Sequence, residues 1–438
     1  MTQFANIYWM DPAARDQEPE LTGTHRAEVA VIGGGLTGLS AAYHLKRSDP
    51  GLKVILIEQS VIGAGASSRN AGALRTTFGL SLKTSTTRFG RQRTGEAQRA
   101  MRQAMNHTRA LIRDQSLACD FEETGLLRFA TSFRGFKRLQ KEMALAETIG
   151  IPHREWRPAE AIARDFDSLD LPGAIAETDA ATVHPVKLVR EMKRLARSAG
   201  VLLFEHSPAI QVYDTTPVRI ETGVGEILAE KVVFATNGFS AQFPQLKRTQ
   251  MPAYGYAAVT RPLADTERDR IGWHSRQCLE DVRNFAHLLR LTPDNRLMIS
   301  GGNISLPVSA NGQAQKGDRF LQELVDFMGT TFPELKYIDI SHKWRGRISL
   351  PVDLAPVVGY LKDPRMVYSL GYAGHGLPLA LFNGAIISDL VHERKTEHTE
   401  SFFVNRRIIP WPLEPLRFGL SRMLRGYLLL EDTYQEKV

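Results

Sequence analysis

The sequence predicts an α/β protein in which a Rossmann-like domain that binds a dinucleotide carries an inserted domain built on a mixed sheet. Gly33, Gly35 and Gly38 match the pattern G-x-G-x-x-G and stand between an apolar run and a helical run. Residues 231–238 read as a buried strand that ends in a glycine turn, which is typical of a chain returning to the same sheet. The strand-rich stretch at residues 251–344 predicts the second sheet.

The N-terminal glycine pattern lies in the context that a dinucleotide site requires. An apolar strand pattern covers residues 29–32, and a helical pattern covers residues 39–45. The first glycine permits a tight turn, the second lets the backbone approach a pyrophosphate, and the third allows close packing of helix on strand, with the phosphates at the positive end of the helix dipole. A second apolar run, residues 54–57, ends at Glu58. The Glu58 carboxylate can accept hydrogen bonds from both hydroxyls of an adenosine ribose, which argues against a 2′-phosphate.

The segments that follow alternate between helical and strand patterns. Residues 62–73 are rich in glycine and small side chains, so their backbone can lie against a bulky ligand. Helical patterns cover residues 90–117, 133–149 and 185–199. Strand patterns cover residues 125–131, 201–204, 218–220 and 227–228.

The remaining patterns set the predicted domain boundaries. Residues 151–158 contain proline and predict a connection, and residues 301–302 predict a turn within the strand-rich stretch. Residues 367–376 predict the final return to the first sheet, followed by a helix at residues 377–392. The nucleotide-binding domain is therefore expected to comprise residues 1–90, 165–248 and 345–438, and the substrate-binding domain residues 91–164 and 249–344.

The composition excludes several classes of protein. A chain of 438 residues exceeds the usual size of one core, and its 43% apolar and 24% charged residues are ordinary for a soluble enzyme. The net charge of +7 is spread along the chain without an aromatic-interleaved basic module, so no nucleic-acid site is predicted. Cys119 and Cys278 form no metal-ligand pattern, and reduced, buried thiols and no metal are expected. Neither a secretion signal nor an apolar run of about 18 residues occurs, so a cytoplasmic protein is expected.

Four motifs occur in order along the chain. They are the N-terminal glycine pattern, Gly-Ala-Gly-Ala-Ser-Ser-Arg-Asn-Ala-Gly at residues 63–72, Val-Phe-Ala-Thr-Asn-Gly at 233–238 and Gly-Tyr-Ala-Gly-His-Gly at 371–376. In this order the chain resembles the D-amino-acid oxidase superfamily of FAD-dependent amine and amino-acid oxidoreductases. Residues 281–302 and 344–347 look most like the branch that contains gamma-glutamylputrescine oxidases and the glycine and sarcosine oxidases. The resemblance covers residues 25–395 and implies FAD as the cofactor.

The resemblance also implies which residues hold FAD. It assigns the pyrophosphate to Gly33, Gly35, Leu36, Thr37 and Gly38, and the adenosine ribose to Glu58 and Gln59. It assigns the flavin and its phosphates to Ser67, Ser68, Arg69, Asn70, Ala71 and Gly72, and the adenine to Ala209, Thr236, Asn237 and Gly238. The flavin ring would be lined by Gly374, His375 and Gly376, where a helix N-terminus can stabilise negative charge on the reduced isoalloxazine. No histidine at residues 67–68 and no cysteine near Arg347 offers covalent attachment, so noncovalent FAD is expected.

Arg75 is the predicted anchor for a substrate carboxylate. The segment Arg75-Thr-Thr-Phe-Gly resembles the Arg-x-x-Tyr-Gly segment of sarcosine oxidases, whose arginine binds that carboxylate. A guanidinium fork suits a planar carboxylate and fixes its orientation. Tyr254, Tyr256 and His287 are candidates for the opposite wall. The predicted catalytic residues are Arg75, Tyr254, His287 and His375.

Two positions depart from the sarcosine oxidase pattern. Pro378 stands where those enzymes carry a second carboxylate-binding lysine, so a second anchor is expected from His287, Arg290 or Arg347. Met298 stands where they carry the lysine that promotes reaction with oxygen, which favours another electron acceptor.

The expected activity is oxidation of the C–N bond of a carboxylated, secondary amine or amino acid to an imine that hydrolyses, with electrons passed to O2. Substrate candidates are an N-substituted glycine such as iminodiacetate and a gamma-glutamyl polyamine. The alternatives are a dehydrogenase that passes electrons to a quinone or carrier at a membrane, and a noncatalytic flavin-binding scaffold.

The segment from Pro410 onward has apolar residues at helical spacing with arginines among them. Such a basic amphipathic helix either lies on a membrane surface or packs on its own domain or a second subunit. The oligomeric state stays open at this stage.

Overall fold

The computed structural model describes residues 7–10, 16–79, 81–151, 153–166, 169, 171–307, 317–413 and 416–436. Its strands are, in chain order, β1 Gly23–Ile32, β2 Val54–Ile57, β3 Ala73–Leu74, β4 Leu126–Phe129, β5 Arg154–Pro158, β6 Gly173–Glu177, β7 Ala181–Thr182, β8 Leu202–Phe204, β9 Gln211–Tyr213, β10 Val218–Glu221, β11 Gly225–Phe234, β12 Met251–Pro262, β13 Cys278–Asp281, β14 His287–Leu291, β15 Arg296–Ser305, β16 Ile340–Leu350, β17 Val357–Tyr360 and β18 Met366–Leu370. Its α-helices are α1 Leu36–Ser48, α2 Leu82–Asp114, α3 Phe133–Thr148, α4 Ala159–Ile162, α5 Pro185–Ser198, α6 Asp265–Ile271, α7 Asp318–Thr331, α8 Leu377–Val391 and α9 Leu416–Glu436.

The first sheet is the predicted nucleotide-binding sheet. Its strand order is β17-β18-β11-β1-β2-β8, and β10 and β9 extend it from β11. The central strands β2, β1, β11 and β18 run parallel, whereas β17 pairs antiparallel with β18. All of β2 and residues 29–32 of β1 are buried, as continuous apolar runs predict for a parallel sheet. The sheet thus joins strands that are far apart in the sequence, and the predicted α/β fold class is confirmed.

Two helices of this domain pack closely against each other. A Cβ atom added at Gly384 of α8 would lie 2.2 Å from the Ser40 hydroxyl oxygen of α1, so only glycine permits this approach. The Ser40 hydroxyl donates a hydrogen bond of 2.6 Å to the carbonyl oxygen of Leu381. Because α1 follows β1 and α8 follows β18, both helices begin at the carboxyl ends of parallel strands. Their N-termini therefore face the same side of the sheet, where ligands of open α/β folds bind.

The second sheet has the strand order β16-β12-β15-β14-β13-β4-β6-β5. Its pairs are antiparallel except β13 with β4, which is parallel, so the sheet is mixed as predicted. Helix α7 covers one face through Leu324 and Met328, which are buried in the core of this domain. The long strands β12 and β16 form one end of the sheet and contact the segment that follows β11. This contact brings the two domains together beside the helix N-termini.

Two local predictions were wrong. The predicted connection at residues 151–158 contains β5, which pairs with β6 and carries the buried Arg154; Pro152 lies outside the described residues. Gly301 and Gly302 lie inside β15 and do not end it. Both have positive φ, and a Cβ atom added at Gly301 would lie 2.2 Å from the Ala286 carbonyl oxygen, so these glycines bend a strand that continues.

Three elements fall across the predicted domain boundaries. Strand β6 lies within residues 165–248 but pairs with β4 and β5 in the second sheet. Most of α2 lies beyond residue 90, yet it packs on α8 in the core of the first domain. Helix α9 lies within residues 345–438 but contacts α3 of the second domain. Strand pairing and packing decide these placements, and a short strand such as Gly-Ala-Ile-Ala-Glu carries no boundary signal.

Helix α9 is bound to the second domain through its inner face. The Asp432 carboxylate accepts hydrogen bonds from the backbone N–H groups of Asn284 and Phe285, at 2.7 and 3.1 Å. The Arg425 guanidinium donates to the Asn303 side-chain oxygen at 3.0 Å. Among the described residues, no helix is long and apolar enough to cross a membrane.

Candidate active site

A cavity of about 1240 Å³ lies between the two domains. It begins at the glycine turn after β1, passes the N-terminus of α8 and reaches β12, β16 and α9. Its position at the carboxyl ends of parallel strands is where an open α/β sheet binds its ligand.

The glycine turn forms a cradle that larger residues would fill. Gly33 has a φ of 112°, and a Cβ atom there would lie 2.7 Å from the Ala235 carbonyl oxygen. A Cβ atom at Gly38 would lie 1.9 Å from the Gly33 carbonyl oxygen, so this glycine lets α1 pack on the turn. The Leu36 N–H donates to the Ser67 hydroxyl at 3.0 Å, which ties the first turn of α1 to the small-residue segment. The N-terminus of α1 thus faces the cavity, as an anion site requires.

Glu58 stands beside this turn at the end of β2. Its two carboxylate oxygens accept hydrogen bonds from the backbone N–H groups of Gly34 and Ser60, at 2.8 and 3.0 Å. Burial raises the pKa of the Glu58 carboxyl, and these hydrogen bonds oppose the shift. Each oxygen retains a second lone pair, so the fixed side chain can still accept hydrogen bonds from a ribose diol.

The small-residue segment is held by two tryptophans from other parts of the chain. The Trp9 indole N–H donates to the Asn70 carbonyl oxygen at 2.9 Å, and the Trp344 indole N–H donates to the Arg69 carbonyl oxygen at 3.0 Å. The side chain of Asn70 donates to the Ala66 and Ser67 carbonyl oxygens. These bonds fix an irregular backbone against the cavity, where small side chains leave room for a flat ligand.

His375 lies in the cavity wall just before α8. Burial lowers the pKa of its imidazole well below the usual range, and the charge of Arg75 lowers it further, so the ring is neutral. Its Nδ1 atom is buried and has no hydrogen-bond partner among the described residues. An unsatisfied buried polar atom on a residue of the cavity lining is one that a bound ligand or water can satisfy. The glycine cradle, the fixed Glu58 and this histidine together fit FAD stretched along the cavity.

Arg75 also lines the cavity, but its charge is already balanced inside the protein. Its guanidinium forms an ion pair with Glu280, which also lies near Arg128. The ion pairs continue through Glu142 to Arg154 and from there to Glu177. Burial lowers the pKa of Arg75 to about 10, and the Glu177 carboxylate opposes that shift. Three cations and three carboxylates are thus buried as one network, so a substrate carboxylate at Arg75 must compete with Glu280.

Four other cations form a wall on the side of the second domain. Lys343, Arg345 and Arg347 alternate along β16 and therefore share one face of the strand, and Arg425 of α9 adds the fourth. The Arg345 guanidinium lies over the Tyr254 ring at 5.1 Å, and that of Arg347 lies over the Phe239 ring at 4.8 Å. We call these four side chains the cationic wall. Among the described residues that line the cavity, Glu58 at the opposite end is the one carboxylate.

Most of the predicted site residues come together in this cavity. Those in its lining are Gly33, Gly35, Leu36, Thr37, Glu58, Gln59, Ser67, Arg69, Asn70, Ala71, Arg75, Ala209, Thr236, Asn237, Gly238, Tyr254, Tyr256, Gly374, His375 and Gly376. Of the three candidates for a second anchor, Arg347 is in the lining, whereas His287 and Arg290 are not. Arg290 is buried and donates to the Ala71 and Val183 carbonyl oxygens.

Four predicted residues lie outside the cavity lining. Gly38 packs on the turn, and Ser68 is buried beside Gly63. Gly72 packs on Val183, whose carbonyl oxygen would lie 2.2 Å from an added Cβ atom. His287 lies outside the cavity lining, where its Nδ1 bonds the Asp281 carboxylate at 2.8 Å and its ring centroid lies 4.0 Å from that of Phe327; its catalytic role stays a prediction.

We expect the substitution His287→Phe to lower stability and leave the site intact. Phenylalanine keeps the stacking on Phe327 but removes one of the two side-chain partners of the Asp281 carboxylate and leaves Arg283 as the other, which costs about 1–3 kcal/mol in the free energy of unfolding. Denaturant unfolding measures this loss, and a titration of FAD into the apoprotein should give an unchanged Kd. A drop in the rate of flavin reduction at unchanged stability would restore His287 to the site; Tyr254→Phe, in the lining, is the comparison.

Sequence reasoning missed several residues of the site. The cations Lys343, Arg345 and Arg425 and the ring of Phe239 were not singled out, and neither was Trp9 as a support. One signal was available, because cations at every second position of residues 343–347 indicate one charged face of a strand. Arg425 reaches the cavity, and Trp9 reaches the small-residue segment, through tertiary packing, and no local pattern marks them.

Comparison with known proteins agrees with this site. A family model described as FAD dependent oxidoreductase (DAO) matches residues 28–390. Gamma-glutamylputrescine oxidoreductase from Escherichia coli (strain K12) is 29% identical over 409 residues, covering 92% of this chain and 92% of that protein.

Two solved structures show the same fold. Glycine oxidase from Geobacillus kaustophilus superposes with a TM-score of 0.72 at 21% identity, covering 88% of this chain and 100% of that one. Iminodiacetate oxidase from Chelativorans sp. BNC1 superposes with a TM-score of 0.65 at 19% identity, covering 84% of this chain and 96% of that one. The matched family model spans both the glycine cradle and the turn that carries His375 just before α8, which we call the α8 turn. This chain therefore belongs to the DAO family of FAD dependent oxidoreductases and is an amine or amino-acid oxidoreductase.

Proposed function

We propose that this enzyme oxidises the C–N bond of a small secondary amine that carries two carboxylates, an N-substituted glycine of the iminodiacetate kind, and passes the electrons to O2. The cationic wall carries the proposal. Four cations line the side of the cavity formed by β16 and α9, and Glu58 beside the glycine turn is the one carboxylate among the described lining residues, so the wall attracts an anion and repels a substrate with a free ammonium group.

Arg345 and Arg347 are proposed to hold the two carboxylates. Alternate residues on one strand are about 7 Å apart, which lets two guanidinium forks each take one carboxylate of a small dianion. The ring contacts with Tyr254 and Phe239 restrict both guanidinium groups before substrate binds. When both carboxylates of the substrate are held, the carbon next to its nitrogen has one orientation. Such orientation is the main contribution that a protein makes when a cofactor carries the redox chemistry.

The same residues favour the reactive form of the amine. Cations near a substrate nitrogen disfavour its protonated form, and oxidation requires the free electron pair of the neutral amine. Neutral His375 adds no further positive charge at the α8 turn. FAD, when bound, supplies the acceptor for the hydride equivalent that leaves the adjacent carbon. Water then hydrolyses the imine product to a carbonyl compound and a primary amine.

FAD is proposed to bind without a covalent bond to the protein. Cys119 and Cys278 are buried and outside the cavity lining, so neither thiol is available to the flavin. Acid precipitation should release the yellow colour into the supernatant. The two buried thiols also fit a reducing compartment, and we propose a cytoplasmic enzyme.

A gamma-glutamyl polyamine is the second candidate substrate. The similarity to gamma-glutamylputrescine oxidoreductase over 92% of the chain favours it. Its free amine would enter a cavity that has one lining carboxylate, Glu58, among the described residues, and this carboxylate lies at the nucleotide end. The two substrates therefore differ in the sign of the charge that the wall must accept.

The decisive experiment is anaerobic bleaching of the flavin. Iminodiacetate, sarcosine, glycine, D-amino acids and gamma-glutamylputrescine are added separately to the purified protein, and the visible spectrum is recorded before and after air is readmitted. Iminodiacetate is expected to bleach the flavin at lower concentration than sarcosine, because sarcosine offers one carboxylate to the wall. Bleaching by gamma-glutamylputrescine alone would support the second candidate, and slow recovery in air would indicate an acceptor other than O2.

A further inference from the structure

Helix α9 has two faces with different environments. Its inner face lines the cavity through Ser421, Leu424, Arg425 and Leu428 and is held to the second domain by Asp432. Its outer face is exposed although it is apolar. One helix therefore forms part of the active-site wall and of the outer surface of the protein.

The outer face is a continuous apolar stripe. It consists of Leu416, Leu420, Met423, Tyr427, Leu430 and Tyr434, which recur every third or fourth residue and so lie on one side of the helix. Their exposed fractions reach 73% at Met423, 72% at Leu430 and 43% at the least exposed, Leu420. Leu413 and Ile409 extend the exposed apolar surface before the helix begins. We call the six helical residues the outer stripe. Single exposed apolar residues are common on proteins, but a contiguous row of this length marks an interaction surface.

A second cavity, of about 740 Å³, lies at the N-terminal end of the outer stripe. Its lining includes the cations Lys247, Arg248, Arg407 and Arg417 and the exposed Leu413, through which it joins the stripe. The residues in its lining, all within the described chain, include no carboxylate. We call it the basic cavity. Arg422 adds an exposed cation on α9 itself.

We propose that the outer stripe and the basic cavity together dock this enzyme on the surface of an anionic lipid bilayer. The stripe would enter the boundary between headgroups and acyl chains, and the exposed cations Lys247, Arg248, Arg407 and Arg422 would contact lipid phosphates. A helix with one apolar face and adjacent cations binds membranes by the sum of these two contributions. The two exposed tyrosines of the stripe suit the headgroup region, where amphipathic rings accumulate.

Charge decides between a bilayer and a second copy of the chain. A pair of α9 helices could cover the apolar stripe, but the exposed cations Lys247, Arg248 and Arg407 of the basic cavity lie on segments before the helix, so pairing of the stripes alone brings no anion to them. An anionic bilayer satisfies both surfaces at once. The docking needs no assumption about the substrate, and its test is independent of the proposed function.

The test is sedimentation of the flavin-loaded, full-length protein with lipid vesicles. Vesicles of phosphatidylcholine alone are compared with vesicles that also contain phosphatidylglycerol, at low and at high salt. The protein should sediment with the anionic vesicles at low salt and much less with the neutral ones. Binding that is equal on both kinds of vesicle, or absent from both, would overturn the proposal.

Two variants separate the apolar and the charged contributions. The triple variant Lys247→Gln, Arg407→Gln and Arg422→Gln should lower the partition coefficient about 100-fold, because each cation near an anionic surface contributes about fivefold. Its control replaces three exposed arginines elsewhere, Arg91, Arg93 and Arg113, and should bind like the original protein.

The triple variant Leu420→Gln, Met423→Gln and Leu430→Gln should abolish sedimentation with either vesicle. Its control changes the exposed Ile210, Val224 and Tyr337 to Gln, which lie outside the stripe. Flavin content and the circular dichroism spectrum verify folding of every variant. The bilayer proposal fails if the stripe is instead an interface between two copies of the chain. In that case light scattering would give twice the monomer mass for the original protein, only the stripe variant would be monomeric, and vesicles would bind none of the proteins.

Discussion

Replacing Gly38 by alanine is expected to give a protein that is purified with little or no flavin. The added Cβ atom would lie 1.9 Å from the Gly33 carbonyl oxygen and 3.1 Å from its carbon, and both are backbone atoms that cannot rotate away. Helix α1 must then move away from the turn, and the N–H groups at its N-terminus are no longer positioned to donate hydrogen bonds to the FAD phosphates. Two lost hydrogen bonds to a charged group, at about 1.5–3 kcal/mol each, raise the Kd for FAD about 100-fold or more.

The measurement is a fluorescence titration of FAD into apoprotein, together with the flavin absorbance of the purified variant. Gly95→Ala is the matched control, because it is the same change inside a helix and its Cβ atom would lie 3.4 Å from the mobile end of Arg99. If Gly38→Ala does not fold, Gly35→Ala gives a milder test, since its Cβ atom meets the Ser67 hydroxyl at 2.9 Å. Full flavin content in Gly38→Ala would contradict the cradle described here.

The double variant Arg345→Gln and Arg347→Gln is expected to raise the KM for iminodiacetate about 100-fold or more, because each lost charge-assisted hydrogen bond costs about 1.5–3 kcal/mol. Because the Arg347 side chain packs on Gly238, which is predicted to contact the adenine, the Kd for FAD is titrated in the same variant, and the rise in KM is compared with any change in that Kd. Stopped-flow reduction of the flavin over a range of substrate concentrations separates binding from the chemical step. Arg261→Gln is the control, since this arginine lies on the neighbouring strand β12 outside the cavity lining and pairs with Glu267.

Substitution of Arg75 tests the alternative that this residue, and not the cationic wall, binds the substrate carboxylate. Its removal leaves Glu280 buried beside Arg128 alone, so Arg75→Gln is expected to destabilise the fold by about 3–5 kcal/mol. The rate of flavin reduction at a given iminodiacetate concentration should change little in the fraction that folds. A folded Arg75→Gln protein with normal stability and a greatly raised KM would make Arg75 the substrate anchor, as the sequence resemblance predicts, and would remove that role from the cationic wall.

Local patterns predicted most of the nucleotide half of the site. The three glycines and Glu58 are specified by the spacing of one strand, one turn and one helix, and the structure brings them to the cavity except for Gly38, which supports the turn from behind. The α8 turn with His375 follows the same logic, because a strand and a helix with a short connection determine where the turn lies. The predictions that differ from the structure concern residues whose neighbours in space are distant in sequence. His287 has the chemistry of a catalytic residue, but Asp281 and Phe327 hold it in the interior.

The sequence by itself determined the fold class, the FAD-binding family and the position of the cofactor cradle, because these depend on short-range backbone geometry that glycine and apolar runs record locally. The tertiary structure alone decided which charged side chains line the cavity. Arg75 lines the cavity but forms an ion pair with Glu280, whereas Arg345 and Arg347 line the same cavity from the end of the second sheet. Long-range ion pairs and strand pairing determine which side chains each cation contacts, and no spacing along one chain encodes them.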